Sequence, residues 1–449
     1  MVHCCKRTAC RRVERQVNQM DETRQARHFL SRHGMAPGQM DLAAACEGYR
    51  AEMERGLRGE PGSLLMLPAY ISLGRALPAQ GQVAALDMGG TNFRAALGTW
   101  ASGSLQFSPQ QVVPTPGSRG MVTRTGFWDT IVQQLAQFPA GCRMGLCFSF
   151  PAEITPDLDG KVLYFDKEVR VEGGSGIHLY RDLAAYMNNK GLTPPETGAV
   201  VNDTVATLLG GYLAVDRSAY DGFVGFILGT GLNCCYSERG ERIAKRKLSA
   251  WDNMVINLEA GSYDRFPQGD FDRALDAVSR EPGRHPLEKM TSGAYLGTLM
   301  ELTLKGAAKE GLFTPPCTRS VLALDGLSLS QVSAWLDGLD GGALPQRLCA
   351  QDEDKAALKA ILAGLAERAA ERLAVMLTAV VLQGDMGRTA QRPAAIIAEG
   401  STFHKFRLYR AYIERAMSDL CTGRFGRHWR FLQVEDANLY GAAAAALLK

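Results

Sequence analysis

Three short stretches combine glycine, threonine and asparagine with isolated carboxylates, a residue set suited to holding phosphate. They are Asp87-Met88-Gly89-Gly90-Thr91-Asn92-Phe93-Arg94, Asn202-Asp203-Thr204 and Gly229-Thr230-Gly231-Leu232-Asn233. A glycine turn lets several backbone N–H groups face one anion with no Cβ in the way. Gly89, Gly90, Thr91 and Asn92, with Gly229, Thr230 and Gly231, are therefore the phosphate-cradling candidates. The threonine hydroxyls add further donors. Glycine is equally apt in ordinary β-turns, so these turns alone decide nothing. The G-x-x-x-x-G-K-[ST] pattern of P-loop enzymes is absent, which disfavours that class. Asp203 is the candidate base for a transfer that removes a hydroxyl proton. Asn202-Asp203-Thr204 is also a good helix N-cap, and both roles are compatible.

The elements that must position these residues follow from the apolar pattern. Val83 to Leu97 reads as two strands around the first glycine turn, and Phe223 to Tyr236 as two strands around the second. The two units look like degenerate copies of one hairpin, which points to an internally duplicated architecture. Arg143 to Phe150 is an apolar strand ending at Pro151, and Gly198 to Val201 a short strand followed by a helix over Thr204 to Leu213. A helix capped by Asp41 is expected to Leu57, a long one from Ala356 to Gln383, and a terminal one from Gly441 to Leu448. Ala394 to Ala398 is a strand running into Glu399-Gly400-Ser401.

A chain of 449 residues is too long for one ordinary core and suggests two domains, or three. With 46% hydrophobic and 22% charged residues it has the composition of a soluble globular protein. The net charge is +3, while residues 1–19 carry five basic side chains and one acid, which leaves the rest near −1. Nothing in that balance calls for nucleic acid or an anionic membrane as partner. The eleven cysteines show no metal-ligand spacing and fit reduced thiols in a cytoplasm. No apolar run is long enough for a membrane span, and the N-terminus lacks the apolar core of a secretory signal. Residues 1–19 are expected to form a disordered tail.

Further segments make a resemblance specific: Met66-Leu67-Pro68-Ala69-Tyr70, Ser149-Phe150-Pro151, Asn202-Asp203-Thr204-Val205-Ala206-Thr207, Met254-Val255-Ile256-Asn257-Leu258-Glu259-Ala260-Gly261, Glu288-Lys289-Met290 and Ser292-Gly293-Ala294-Tyr295-Leu296-Gly297. In this order they resemble the hexokinase family of the eukaryotic type, from about Met66 to the C-terminus. The resemblance implies an α/β protein of the actin-like ATPase (ribonuclease H-like) fold, with two domains and a ligand cleft between them. The small domain would be 62–202 plus 436–449, the large domain 203–435, and 20–61 a helical segment packing on the large domain. The implied activity is transfer of the ATP γ-phosphoryl to the 6-hydroxyl of glucose or a related hexose, the first step of glycolysis. Mg2+ would accompany ATP, held through water near Asp87 and Asp203 rather than by direct protein ligands.

By the same resemblance Ser149, Lys167, Asn202, Asn233, Glu259 and Glu288 bind the sugar with Asp203, and Lys167 also stabilises charge on the transferred group. Gly400 and Ser401, with Ser330 as a second site, would contact adenosine. On residues alone, Glu259 lies in an apolar run where a carboxylate is costly unless satisfied, which favours a site. Glu288-Lys289 alone reads as a solvated helix-start pair. Arg94 is either a partner of Asp87 or a phosphate neighbour. One departure stands out. Where the family usually carries Trp-Thr-Lys-Gly-Phe, this chain has Phe165-Asp166-Lys167-Glu168-Val169, so Asp166 replaces a threonine and bears on sugar preference. Two alternatives remain open, a kinase for mannose or fructose and a non-catalytic actin-like nucleotide-binding regulator.

Overall fold

The computed structural model describes residues 21–165, 169–246 and 251–449. Two mixed sheets carry the fold. In the first, β2 (Gln80–Met88) turns through the glycine segment into antiparallel β3 (Asn92–Ala101), and β6 (Arg143–Phe148) and β9 (Gly198–Val201) follow β2 in parallel. Strands β4 (Ser104–Phe107) and β5 (Gln111–Pro114) both extend β3. In the second sheet, β10 (Gly222–Leu228) and β11 (Leu232–Arg239) form the antiparallel hairpin, with β13 (Ala394–Glu399) and β14 (Trp429–Leu432) parallel beside β10. Strand β12 (Asn253–Asn257) extends β11, and β1 (Leu67–Pro68) closes that edge. A separate ribbon pairs β7 (Ala152–Ile154) with β8 (Gly160–Val162). Each sheet thus repeats one plan: a hairpin around a glycine turn, with its first strand continued by two parallel strands. This is the duplication expected from the sequence.

The inner strands are buried on both faces, as a near-continuous apolar run requires. Val83 to Met88 are all buried, as are Met144 to Phe148. Two helices fill the space between the sheets. Asp203–Ala214 packs on β10, β11 and β13, and the terminal helix Ala437–Leu448 packs on β2, β6 and β9 and along Asp203–Ala214. Their approach is close enough to exclude side chains. A Cβ on Gly441 would lie 1.9 Å from the Ala206 carbonyl oxygen, and one on Gly145 of β6 would lie 1.9 Å from that of Ala442. A Cβ on Gly210 would lie 2.2 Å from the Ala437 carbonyl oxygen.

The expected helices are present with shifted starts. The first expected helix runs Leu42–Arg58, and its Asp41 cap accepts from Ala43 and Ala44 N–H at 3.0 Å. The long helix begins at Asp352 rather than Ala356, because Asp352, Glu353 and Asp354 place three acids at its positive end. Asp354 also accepts from Gln351 N at 2.9 Å and Thr314 N at 2.8 Å. The terminal helix begins at Ala437 rather than Gly441, held by packing that no local propensity signals. A helix over 21–32 and the Leu42–Arg58 helix lie against the long one, with Leu30 within 2.8 Å of the Cβ position of Gly364. Inside this layer Arg368 and Asp272 form a buried ion pair. Residues 1–19 lie outside the described residues.

The close helix approach yields a test. Gly441→Ala must displace backbone, an overpacking that costs about 1–3 kcal/mol. Denaturant unfolding should register that loss, whereas unchanged stability would mean the two helices are not in backbone contact.

Candidate active site

Asp203 opens the helix that follows β9, with Asn202 as N-cap. Thr204 N donates to Asn202 Oδ1 at 2.9 Å and to Asp203 Oδ1 at 2.8 Å. The expected cap and the candidate base are therefore neighbours with separate duties. The Asp203 carboxylate is half-buried at a helix N-terminus.

The two glycine turns are braced from behind, which leaves their tips exposed. In the first, Gly89 N donates to Asn92 O at 3.1 Å, and buried Thr115 donates its hydroxyl to Gly89 O at 2.6 Å. Thr91 and Asn92 are exposed. In the second, Gly229 N donates to Gly231 O at 3.0 Å, and Gly229 O accepts from Gly293 N at 2.8 Å and Thr402 Oγ1 at 2.9 Å. Thr230 is exposed at its tip. Gly400, at φ 111°, lies against it: a Cβ there would meet Leu228 O at 2.4 Å and Gly229 N at 2.7 Å. Gly400 thus lies against the second turn, with exposed Ser401 next to it in the chain. Ser330 is exposed on the Leu329–Leu336 helix, its hydroxyl 3.0 Å from that of Ser328 in the cap. That bond belongs to the helix start, and no hydrogen bond ties Ser330 to the turns.

Glu259 and Glu288 come together beside the second turn. Glu259 sits in the left-handed region at φ 57°, and its Oε1 accepts from Asn257 Nδ2 at 2.7 Å. Asn257 Oδ1 in turn accepts from Asn233 Nδ2 at 2.8 Å. Asn233 Oδ1 takes Cys234 N at 2.8 Å and Ala260 N at 3.2 Å, so Asn233 holds the Glu259 segment to β11. Burial raises the Glu259 pKa, and the neighbouring Asp203 and Glu288 charges raise it further against the pull of the Asn257 and Asn233 bonds. The expectation of a solvated Glu288-Lys289 pair is corrected. Glu288 Oε2 accepts from Leu232 N at 2.9 Å, while Lys289 is buried and bonded to Asp276 at 2.5 Å. Ser149 N donates to Met88 O at 3.2 Å, which puts Ser149 beside the first turn. Asp166 and Lys167 lie outside the described residues.

Asp87 is buried at the end of β2 and settles the role of Arg94. Arg94 Nε and Nη2 both donate to Asp87 Oδ2, at 3.0 and 2.5 Å, and Nη1 donates to Asp436 Oδ1 at 2.8 Å. Asp436, just before the terminal helix, also accepts from Gln110. Asp87 Oδ1 is buried and takes no hydrogen bond from an N–H or O–H group of the described residues. The Cys147 thiol, a weak donor, lies against this carboxylate. Burial and the Asp87 and Asp203 charges push its pKa well up. Glu399, at the end of β13, is raised chiefly by burial, with Arg94 and the Gly400 N–H lowering it and Asp436 raising it. Asp87, Asp436 and Glu399 thus share the Arg94 cation. A carboxylate oxygen with no N–H or O–H donor among the described residues, in an anionic surround, suits the water shell of a divalent cation, which keeps several waters and few protein ligands. No group of three or more His, Cys, Asp or Glu residues forms a direct metal site among the described residues.

Two braced glycine turns, one on each half of a duplicated α/β fold, form the candidate site together with Asp203 at the start of the helix packed on the second sheet. Two families described as hexokinase match residues 32–213 and 223–448. Hexokinase-1 of Nicotiana tabacum is 30% identical over 440 residues, covering 90% of this chain and 87% of that protein. Hexokinase-5 of Oryza sativa subsp. japonica is 34% identical over 301 residues, with 63% and 58% covered. Hexokinase-3 of Rattus norvegicus is 30% identical over 451 residues, with 91% and 46% covered, so the chain spans about half of that protein's length. The solved structure of a hexokinase from Schistosoma mansoni complexed with glucose superposes with a TM-score of 0.74 at 21% identity, covering 96% of this chain and 99% of that one. That likeness bears out the expected fold. The chain belongs to the hexokinase family of hexose kinases.

The raised Glu259 pKa carries a sign. The folded protein holds this proton more tightly than the unfolded chain, so the associated stability is fully present below about pH 4 and is lost as pH rises through the folded value. Glu259→Gln keeps an acceptor for Asn257. It should raise the melting temperature of the ligand-free protein at neutral pH and lose that advantage near the acid limit. A melting temperature lowered at neutral pH would show that ionised Glu259 stabilises the fold.

Proposed function

We propose that this chain transfers the γ-phosphoryl of Mg-ATP to the 6-hydroxyl of glucose or a related hexose. The observation that carries the reading is the placement of Asp203. It opens the helix packed on β10 and β11, and its charge acts both on Glu259 beside the second turn and on Cys147 beside Asp87. A hexose is a ring of hydroxyls, each a donor and an acceptor, and its recognition needs carboxylates and amides at fixed positions. Glu259, Glu288, Asn202 and Ser149 supply such groups from both halves of the fold, with Asn233 holding Glu259 in place. The substrate 6-hydroxyl would give its proton to Asp203 as the bond to phosphorus forms. Backbone N–H groups of the turns at Gly89–Asn92 and Gly229–Gly231 would hold the ATP phosphates, with Gly400 and Ser401 beside adenosine. Mg2+, carried with ATP near Asp87 and Asp203, would neutralise charge on the phosphoryl oxygens. Ligands drawn from both halves would be engaged together only when the cleft closes, which also excludes water.

We also infer a cytoplasmic setting. The eight described cysteines are all unpaired and seven of them are at least partly buried. No described helix is long and apolar enough to cross a membrane.

A coupled ADP-release assay across glucose, mannose and fructose tests the activity. Asp203→Asn tests the base: the amide keeps shape and hydrogen bonding but cannot take the proton, so kcat should fall by about 100-fold or more. Glucose binding, followed by calorimetry, should persist. Turnover within a few-fold of wild type in a folded variant would remove Asp203 from this role.

A further inference from the structure

We propose that Asp436 is a positioning residue that acts through Arg94 to keep one oxygen of Asp87 unpaired for a nucleotide-bound divalent cation. The inference rests on the Mg-nucleotide reading of this site given above and adds to it a residue that no part of that reading uses.

The first observation is what Asp436 does not do. It occupies the N-cap of the terminal helix, and aspartate is among the best capping residues, yet its side chain makes no cap bond. Its backbone is left-handed at φ 54°, a conformation that a non-glycine residue holds only when its surroundings impose it. The carboxylate is turned instead to Arg94 Nη1 at 2.8 Å and to Gln110. Both the cap and the relaxed backbone are given up for this contact.

The second observation is how Arg94 is divided. A guanidinium facing a carboxylate prefers a fork, two parallel N–H bonds to the two oxygens. Arg94 instead places Nε at 3.0 Å and Nη2 at 2.5 Å on the same oxygen, Asp87 Oδ2, while Asp436 holds Nη1. Asp87 Oδ1 is left buried with no N–H or O–H donor among the described residues, and only the weakly donating Cys147 thiol lies against this carboxylate. In a buried site an unpaired carboxylate oxygen is unfavourable, and the fork would remove the penalty. Asp436 opposes that rotation by fixing the far edge of the guanidinium. Asp436 also stands where the chain leaves β14 of the second sheet and enters the helix packed on the first, so its grip on β3 links the two halves at the cation site.

The experiment measures calorimetric binding of Mn2+-ADP and of metal-free ADP to the full chain, in wild type, Asp436→Ala and Asp436→Asn. Wild type should prefer Mn2+-ADP. Asp436→Ala should reduce that preference by about ten-fold, the scale at which groups behind a metal site act. Affinity for metal-free ADP and for glucose should be unchanged. Asp436→Asn, which keeps an acceptor but not the charge, should fall between, and it decides the matter alone if the alanine variant does not fold. In an Arg94→Met background, Asp436→Ala should have no further effect on the preference. An undiminished preference for Mn2+-ADP, or equal weakening of every ligand, would overturn the proposal. A wild type that binds ADP equally with and without the cation would instead overturn the Mg-nucleotide reading beneath it.

Discussion

The structure depends on two helices meeting at backbone distance between two sheets. Gly441 against Ala206, Gly210 against Ala437 and Gly145 against Ala442 leave no room for a side chain at any of the three contacts. The alanines of the terminal helix are the sequence-level expression of this requirement. They bury little area each, but they let the Asp203–Ala214 helix, which carries the candidate base at its first residue, pack directly along the terminal helix. Displacing either helix would move the candidate base relative to the sheets that carry the turns.

A second constraint follows from charge. Asp203, Glu259 and Glu288 influence one another, and Asp87, Glu399 and Asp436 share one arginine. The ligand-free site is therefore destabilised by like charges and by desolvation, and Glu259 and Glu399 respond by holding protons more tightly. In the proposed function, a polyhydroxyl ligand would relieve part of this by donating hydrogen bonds, and a cation-bound nucleotide would relieve more. The scaffold resists collapse of the site through bonds that do not depend on ligand. Asn233 and Asn257 hold Glu259, Leu232 N holds Glu288, and Thr115 and Thr402 brace the turns. The stability given up at these carboxylates is regained in a large shared core, including the almost wholly buried face of the Asp352–Gln383 helix.

What was legible in the sequence was local. The glycine turns, their flanking strands and the Asn202-Asp203-Thr204 cap are signalled within ten residues, and the structure places each as expected. The adjacent Glu288 and Lys289 were misread on residues alone, because their partners Leu232, Asp276 and Glu281 are set by the fold and not by the neighbouring sequence. Arg94 was undecided for the same reason: one partner is seven residues away and the other 342. Asp436 was missed altogether. Its signal would have been an aspartate before an alanine-rich helix, which reads as a cap and nothing more. Asn233, implied by the resemblance to bind the sugar, also bonds Asn257, Cys234 and Ala260, partners set by the pairing of β11 with the Glu259 segment. Helix starts shifted where distant contacts, such as Thr314 on Asp354, override propensity.

The central claim is that the two turns and Asp203 act together on a hexose hydroxyl. It is tested most directly by identifying the product. Purified protein incubated with Mg-ATP and glucose can be followed by 31P NMR with proton correlation, which reports both the new phosphate ester and the carbon that bears it. The account predicts a single ester at carbon 6, formed in step with ADP and only when the hexose is present. ADP and inorganic phosphate released without a sugar ester, or an ester at another carbon, would contradict it.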